Sequence, residues 1–237
     1  MEHLTSNIVC KRVMRNGEKY EEHSVLLKEH AMDIYVDGEC YTSVRCTKEW
    51  LEELVIGRLA ADGMLSSMEE MKELKSSEDQ SVVDVELVSE NDMALNLYDF
   101  VKEEKIYYPD EWVFAMIDTM AADTPIHEKT RSAHSCFLFK EGELVFSCED
   151  IGRHNAVDKV IGYAIKNQVN LTKCAVYTSG RVPFDMADKI AVAGIPVLVS
   201  KGMPSMQAVQ LAEETGITLI CGTKADQIKI YVDHRKK

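Results

Sequence analysis

A chain of 237 residues with 46% apolar side chains is long enough and apolar enough to bury one large core or two small ones, which argues against disorder. Its formal net charge of −13 argues against a general nucleic-acid binder, because phosphate backbones attract basic surfaces, yet it leaves room for a small phosphorylated ligand in a local basic pocket. Seven cysteines, odd in number and irregularly spaced, point to reduced thiols in a cytoplasmic protein; no leader-like apolar region follows Met1, and no run of about 18 apolar residues suggests a membrane span.

The first part, residues 1–122, opens with β-like stretches, HSVLL and MDIYVDGECYTSV, the second turning at Asp37-Gly38, a strong hairpin signal. KEWLEELVIGRLAADG follows as a helix, with Thr47 as its N-cap, an apolar stripe of Trp50, Leu51, Leu54, Val55 and Leu59, and Gly63 as its closing glycine. Ser67 to Glu70 (SMEE) has the form of a capping box for a further short helix. SVVDVELV alternates as a strand does, and DMALNLYDFVKEE and PDEWVFAMIDTMAA read as helices, the second with Pro109 in its first turn.

The second part, residues 123–237, begins with SCFLFKEGELVFSC, a hairpin turning at Glu141-Gly142. Helical and strand-like stretches then alternate: NAVDKVIGYAIKN, CAVYTS, PFDMADKIAVA closed by Gly194, IPVLVS, PSMQAVQLAEET closed by Gly216, then ITLIC and IKIYV. That rhythm indicates βαβ units and a mostly parallel mixed sheet, an α/β domain within an α+β chain. The final DHRKK reads as a frayed basic tail, and the methionines as fillers of core gaps.

Three loops leave the strand C-termini: EDIGRHN, SGRVP and KGMPS. If the hairpin strand joins the same sheet, they open onto one crevice, the usual ligand site of open α/β sheets. Each loop precedes a helix whose first N–H groups are unpaired and partly positive. The loops supply Arg153, His154, Arg181 and Lys201 as phosphate partners, and Gly152, Gly180 and Gly202 as points of close backbone approach. The bland alternative for EDIGRHN is a helix cap with surface charges. Asp150 and Asp158 complicate a pure phosphate site; such a carboxylate either accepts from a guanine edge or holds Arg153 in its rotamer, the second role suiting Asp158. Cys148 lies near the cationic loop, where a thiolate is favoured, but both it and Cys136 also fit as small buried residues of a strand. Neither H-E-x-x-H nor the zinc-deaminase pattern H-x-E with P-C-x-x-C occurs, nor any Walker, G-x-G-x-x-G or G-x-S-x-G motif, so no metal held by protein ligands is expected.

EDIGRHNAVDKVIG is similar to the E-D-V/I-G-R-H-N-A-V/L-D-K-L/V-I/L-G signature of the FdhD-type accessory proteins of formate dehydrogenase. TSGRVPFDMADKIAVAGIPVLVS, PSMQAVQLAEETGITLI and WLEELVIGRLAADGML resemble three further stretches of that family, so the resemblance spans most of the chain. It implies a cytidine-deaminase-like C-terminal domain without the zinc site, a smaller N-terminal part and a homodimer. It also implies binding of bis-molybdopterin guanine dinucleotide through its guanine-nucleotide portions, with GDP or GMP as minimal ligand. Sulfur taken from a cysteine desulfurase would be placed on the metal for a formate dehydrogenase or related molybdenum or tungsten enzyme. The motif match carries over Asp150, Gly152, Arg153, His154, Asn155, Lys159, Ser179, Gly180, Arg181 and Ser205 as cofactor contacts, with Lys201 from the crevice argument, His134 from TRSAH, and Gly222, Thr223 and Lys224 before the last strand. The family's T-G-G-x-H reads TRSAH here, and GTKADQ lacks the family's aromatic and glycine. The family's C-G-x-C relay loop has no counterpart, since the stretch from Val88 to Trp112 contains no cysteine; Cys136 and Cys148 are then the persulfide candidates. A non-catalytic carrier of the cofactor, or a guanine-nucleotide-binding regulator, is the alternative.

Overall fold

The computed structural model describes residues 1–88 and 106–236, so the helix expected over 92–104 lies outside the described residues. Among these, twelve strands and six α-helices are found. β1 (Thr5–Val13) and β2 (Lys19–Leu27) form an antiparallel ribbon. β3 (His30–Val36), β4 (Glu39–Cys46), β5 (Met71–Ser76) and β6 (Val82–Leu87) form a four-stranded sheet in the order β4-β3-β6-β5. The β3–β4 hairpin turns where the sequence indicated, with Asp37 at φ 51 and Gly38 at φ 80, the left-handed pair a type I′ turn requires.

α1 (Leu51–Ala61) lays Leu51, Leu54, Val55 and Leu59 on this sheet. Its opposite side is buried too, against α4 (Arg153–Lys166). The two helices cross backbone to backbone: a Cβ on Gly57 would lie 1.7 Å from Asp158 O, and one on Gly162 would lie 1.8 Å from Glu53 O. Only glycine fits at this crossing. Trp50 is not part of the stripe. It holds a left-handed conformation (φ 56) ahead of the helix, is 44% exposed, and sets its ring edge-on to Phe146 at 5.0 Å.

β7 (His134–Lys140), β8 (Glu143–Asp150), β9 (Cys174–Thr178), β10 (Val197–Ser200), β11 (Thr218–Lys224) and β12 (Gln227–Val232) form a six-stranded mixed sheet in the order β12-β11-β10-β9-β7-β8. The α/β class and the mixed sheet expected from sequence are present. Parallel pairing runs through β9, β10 and β11, and antiparallel pairs close both sides. α4, α5 (Phe184–Val192) and α6 (Met206–Thr215) cover one face over Leu138, Val176, Leu198 and Leu219. α2 (Asp110–Ala122), counted by sequence with the first part, packs Val113, Met116 and Met120 on the other face over Phe137, Phe139 and Tyr177. The resulting layers are small sheet, α1, the α4–α6 layer, large sheet and α2.

Several local expectations fail for tertiary reasons. Thr47 does not cap α1; it is fully buried, and its polar groups face the β8–α4 loop. Ser67 makes no capping bond to the single 3-10 turn Met68–Glu70; Ser66 donates to the Glu70 carboxylate instead. α3 (Pro125–Thr130) lies where no helix was read, its first amides at Ile126 and His127 donating to the buried Glu149 carboxylate at 2.6 and 2.8 Å. The C-terminal segment is docked rather than frayed: Arg235 donates to Tyr108 O at 3.0 Å and pairs with Asp110 and Asp233.

Candidate functional site

β9, β10 and β11 run in one direction, and β8 shares it because two antiparallel steps, through β7, separate β8 from β9. Their C-terminal ends therefore lie along one edge, and the three loops meet there. Ser179 N donates to Ser135 O at 2.9 Å, Lys201 N to Thr178 O at 3.0 Å, and Gly222 N to Gly202 O at 2.9 Å. Ser200 Oγ donates to Gly180 O at 2.5 Å. A Cβ on Gly180 would fall 2.9 Å from Arg153 Cβ, and one on Gly202 would fall 2.6 Å from Arg181 Cα. The two arginines are thus seated side by side, each over the glycine of the next loop. Gly222, at φ 64, continues the row beside Met203.

Among the described residues, Arg153, Arg181 and Lys201 have no carboxylate partner. Arg181 and Lys201 are exposed and Arg153 is half-buried. Arg153 Nε is buried without any hydrogen-bond partner. α4 begins at Arg153, and its N-cap, Gly152, offers no side chain to the first amides, so the partly positive helix end opens onto the same rim. His134 Nδ1 lies 3.4 Å from Ser179 Oγ, and burial, then Arg153, hold its pKa below the ordinary 6.5. His154 Nε2 lies 3.4 Å from Asp185 Oδ2; burial holds its pKa down although Asp185 acts in the other direction. Lys224 is exposed at the far end of the row, while the Thr223 hydroxyl is buried against Tyr177 Oη at 2.8 Å.

Other residues expected at the ligand turn inward. Asp150 is fully buried; its Oδ2 accepts from Lys159 Nζ at 2.6 Å and Thr47 N at 2.9 Å, and its Oδ1 from Gly152 N at 2.8 Å and Asn155 Nδ2 at 2.9 Å. With both oxygens doubly engaged, it has nothing left for a guanine edge. Lys159 is equally buried, and Asn155 spends its amide hydrogens on Asp150 and Arg45 O. Asp158 does not hold Arg153; it is buried against Lys189 at 2.6 Å with Arg58 at 3.8 Å, and desolvation raises its pKa against the pull of Lys189. Ser205 caps α6, accepting from Ala208 N at 3.1 Å.

The persulfide candidates are corrected as well. Cys136 and Cys148 oppose each other across β7 and β8 inside the core, not on the crevice. Burial pushes the Cys136 thiol far up and the Cys148 thiol to about 12, so neither is a thiolate near neutrality. Sequence reasoning also missed what flanks the cations: Phe184, Met203 and Met206 are exposed on the rim loops and on the first turns of their helices, an apolar shelf rather than core filling. Among the described residues, no group of three or more His, Cys, Asp or Glu is placed to hold a metal ion, and no helix is long and apolar enough to cross a membrane.

A family model described as the FdhD/NarQ family matches residues 27–102 and 90–237. A sulfur carrier protein FdhD of Geobacillus kaustophilus is 31% identical over 240 residues, covering 92% of this chain and 91% of its own. A protein FdhD of Methanocaldococcus jannaschii is 32% identical over 218 residues, covering 91% and 92%. The crystal structure of a candidate formate dehydrogenase accessory protein from Desulfotalea psychrophila superimposes with a TM-score of 0.84 at 27% identity, over 96% of each chain.

Proposed function

The chain belongs to the FdhD/NarQ family, and from that membership and the cationic rim we propose that it is an accessory protein holding bis-molybdopterin guanine dinucleotide by its guanine-nucleotide phosphates, in the service of a formate dehydrogenase or a related molybdenum or tungsten enzyme. One observation carries the reading: in a chain of net charge −13, Arg153, Arg181 and Lys201 sit together without a carboxylate partner among the described residues. Clustered like charges repel and gain from an anion between them. The residues fit a phosphorylated ligand on two further counts. The buried Arg153 Nε lacks an acceptor, and the first amides of α4 have no side-chain cap at Gly152.

On this reading Arg153 and Arg181 present planar forks to phosphate oxygens, and Lys201 adds a point charge. The α4 amides and the Ser179 hydroxyl complete the donors, with His134 and His154 alongside and Gly222 to Lys224 at the far end. The cofactor supplies the metal chemistry when bound; this chain binds and orients it. The protein acts as a cytoplasmic homodimer. A second reading, a carrier that transfers no sulfur itself, is favoured by the burial of Cys136 and Cys148 and by the cysteine-free stretch from Val88 to Trp112. A cysteine desulfurase then has no thiol of this rim to load.

Calorimetric titration with GDP tests the binding. We expect an affinity on the order of micromolar that weakens with added salt. Two charge-assisted contacts at about 1.5–3 kcal/mol each make Arg153→Ala with Arg181→Ala at least about a hundredfold weaker. Unchanged binding by that double variant overturns the reading.

A further inference from the structure

Thr47 belongs to the junction between β4 and α1, in the N-terminal half, yet all three of its polar groups are held by the signature stretch of the other half. Its N–H donates to Asp150 Oδ2 at 2.9 Å, its carbonyl accepts from Lys159 Nζ at 3.0 Å, and its hydroxyl accepts from Ile151 N at 3.1 Å. Two residues earlier, Arg45 O accepts from Asn155 Nδ2 at 2.7 Å. Thr47, Asp150 and Lys159 are fully buried and Asn155 nearly so. The same Asp150 carboxylate holds Gly152 N at 2.8 Å, immediately before Arg153. A Cβ on Gly152 would lie 2.8 Å from Asn155 Nδ2, so the loop is pinned from both sides.

A buried Lys–Asp pair is costly to desolvate and is weak evidence for added stability; its best-attested use is to fix one arrangement among several. Here the arrangement it fixes is the height of the Ile151–Gly152 backbone on the Arg45–Thr47 strand end. We propose that Thr47, Asp150, Asn155 and Lys159 are positioning residues: they touch no ligand, but clasp the N-terminal half to the rim loop and thereby set where Arg153 and the first amides of α4 stand. This inference rests on the rim being the phosphate site. The N-terminal half then shapes the binding site through Thr47 and the Arg45 carbonyl. Because coupling between sites is reciprocal, a phosphate held at Arg153 tightens the clasp and slows hydrogen exchange at the Thr47 amide in the other half.

The test uses the full chain with GDP as probe. Thr47→Val keeps the side-chain shape and removes the acceptor of Ile151 N; Thr47→Ser keeps that acceptor. One buried donor left without a partner on the loop weakens GDP binding about tenfold in Thr47→Val, and Thr47→Ser restores it. The salt sensitivity of the affinity stays that of the wild type in Thr47→Val, since no charge facing the ligand is removed, whereas Arg153→Ala lowers both affinity and salt sensitivity. A general loss of stability, measured well below the melting temperature, leaves the affinity of the folded protein untouched and so does not imitate this result. Wild-type affinity in Thr47→Val, or a reduced salt sensitivity in it, overturns the proposal. Should the wild-type protein bind no GDP at all, the crevice reading fails. The clasp is then read from exchange alone: faster exchange at Ile151 and Gly152 in Thr47→Val supports it, and unchanged exchange removes it.

Discussion

Replacing Lys159 by Met tests the buried ion pair that ties the two halves together. The Met side chain follows the path of the lysine stem, so volume changes little. What remains is Asp150, fully buried, its carboxylate still accepting from Thr47 N, Gly152 N and Asn155 Nδ2 but with no cation beside it. The Thr47 carbonyl loses the Lys159 donor and keeps only Glu49 N, at 2.7 Å. Removing one partner of such a pair costs about 3–5 kcal/mol, because the surviving charge is uncompensated. In a chain of this length each kcal/mol lowers Tm by about 2–4 °C, so Lys159→Met melts at least about 6 °C below the wild type. Asp150→Asn combined with Lys159→Met leaves no charge behind and recovers at least half of that loss. Circular dichroism at 222 nm during heating, with a urea titration at fixed temperature, reads both variants. A fall below about 2 °C, or a double variant less stable than Lys159→Met, refutes the reasoning.

Gly162→Ala removes a helix-interior glycine and on propensity alone adds about 1 kcal/mol, yet its Cβ meets Glu53 O at 1.8 Å, so α1 and α4 are forced apart and Tm falls; a rise contradicts the backbone crossing. Iodoacetamide applied to the native protein near pH 8, followed by mass spectrometry, labels the exposed Cys40 and spares Cys136 and Cys148, whose burial raises their pKa; equal labelling of Cys148 and Cys40 contradicts their placement in the core. His134 and His154 have folded pKa values below 6.5, so the unfolded chain takes up protons first, and stability is lost as pH falls from about 6.5 through the folded values. Tm therefore declines on acidification from about pH 7, and His134→Gln shallows the decline; an unaltered pH profile in that variant contradicts the assignment.

The large sheet was legible because its strands are short apolar runs closed by glycine-marked helices, and a strand buried on both faces writes itself into the sequence without help from distant residues. β1 was not legible, since an exposed ribbon needs no apolar period, and its residues beyond Thr5 are almost all exposed. Thr47 was misread for the opposite reason. A threonine before an apolar period is a good local cap, but its N–H, its hydroxyl and one lone pair of its carbonyl are engaged by residues more than 100 positions away. The same limit applies to the signature. Glycine and cationic side chains at strand ends mark loops that crowd one another, and Arg153 and Arg181 do stand side by side there. Which polar residues of EDIGRHN face outward depends on the buried acceptors opposite them, and those belong to the other half of the chain.

The most direct measurement of the central claim is a crystal structure of the protein grown with GDP. The account predicts the diphosphate between the loops carrying Gly152, Gly180 and Gly202, with Arg153 and Arg181 on its oxygens and the Asp150–Lys159 pair undisturbed beneath it. A nucleotide lodged on any other surface, with those two guanidinium groups untouched, contradicts the account.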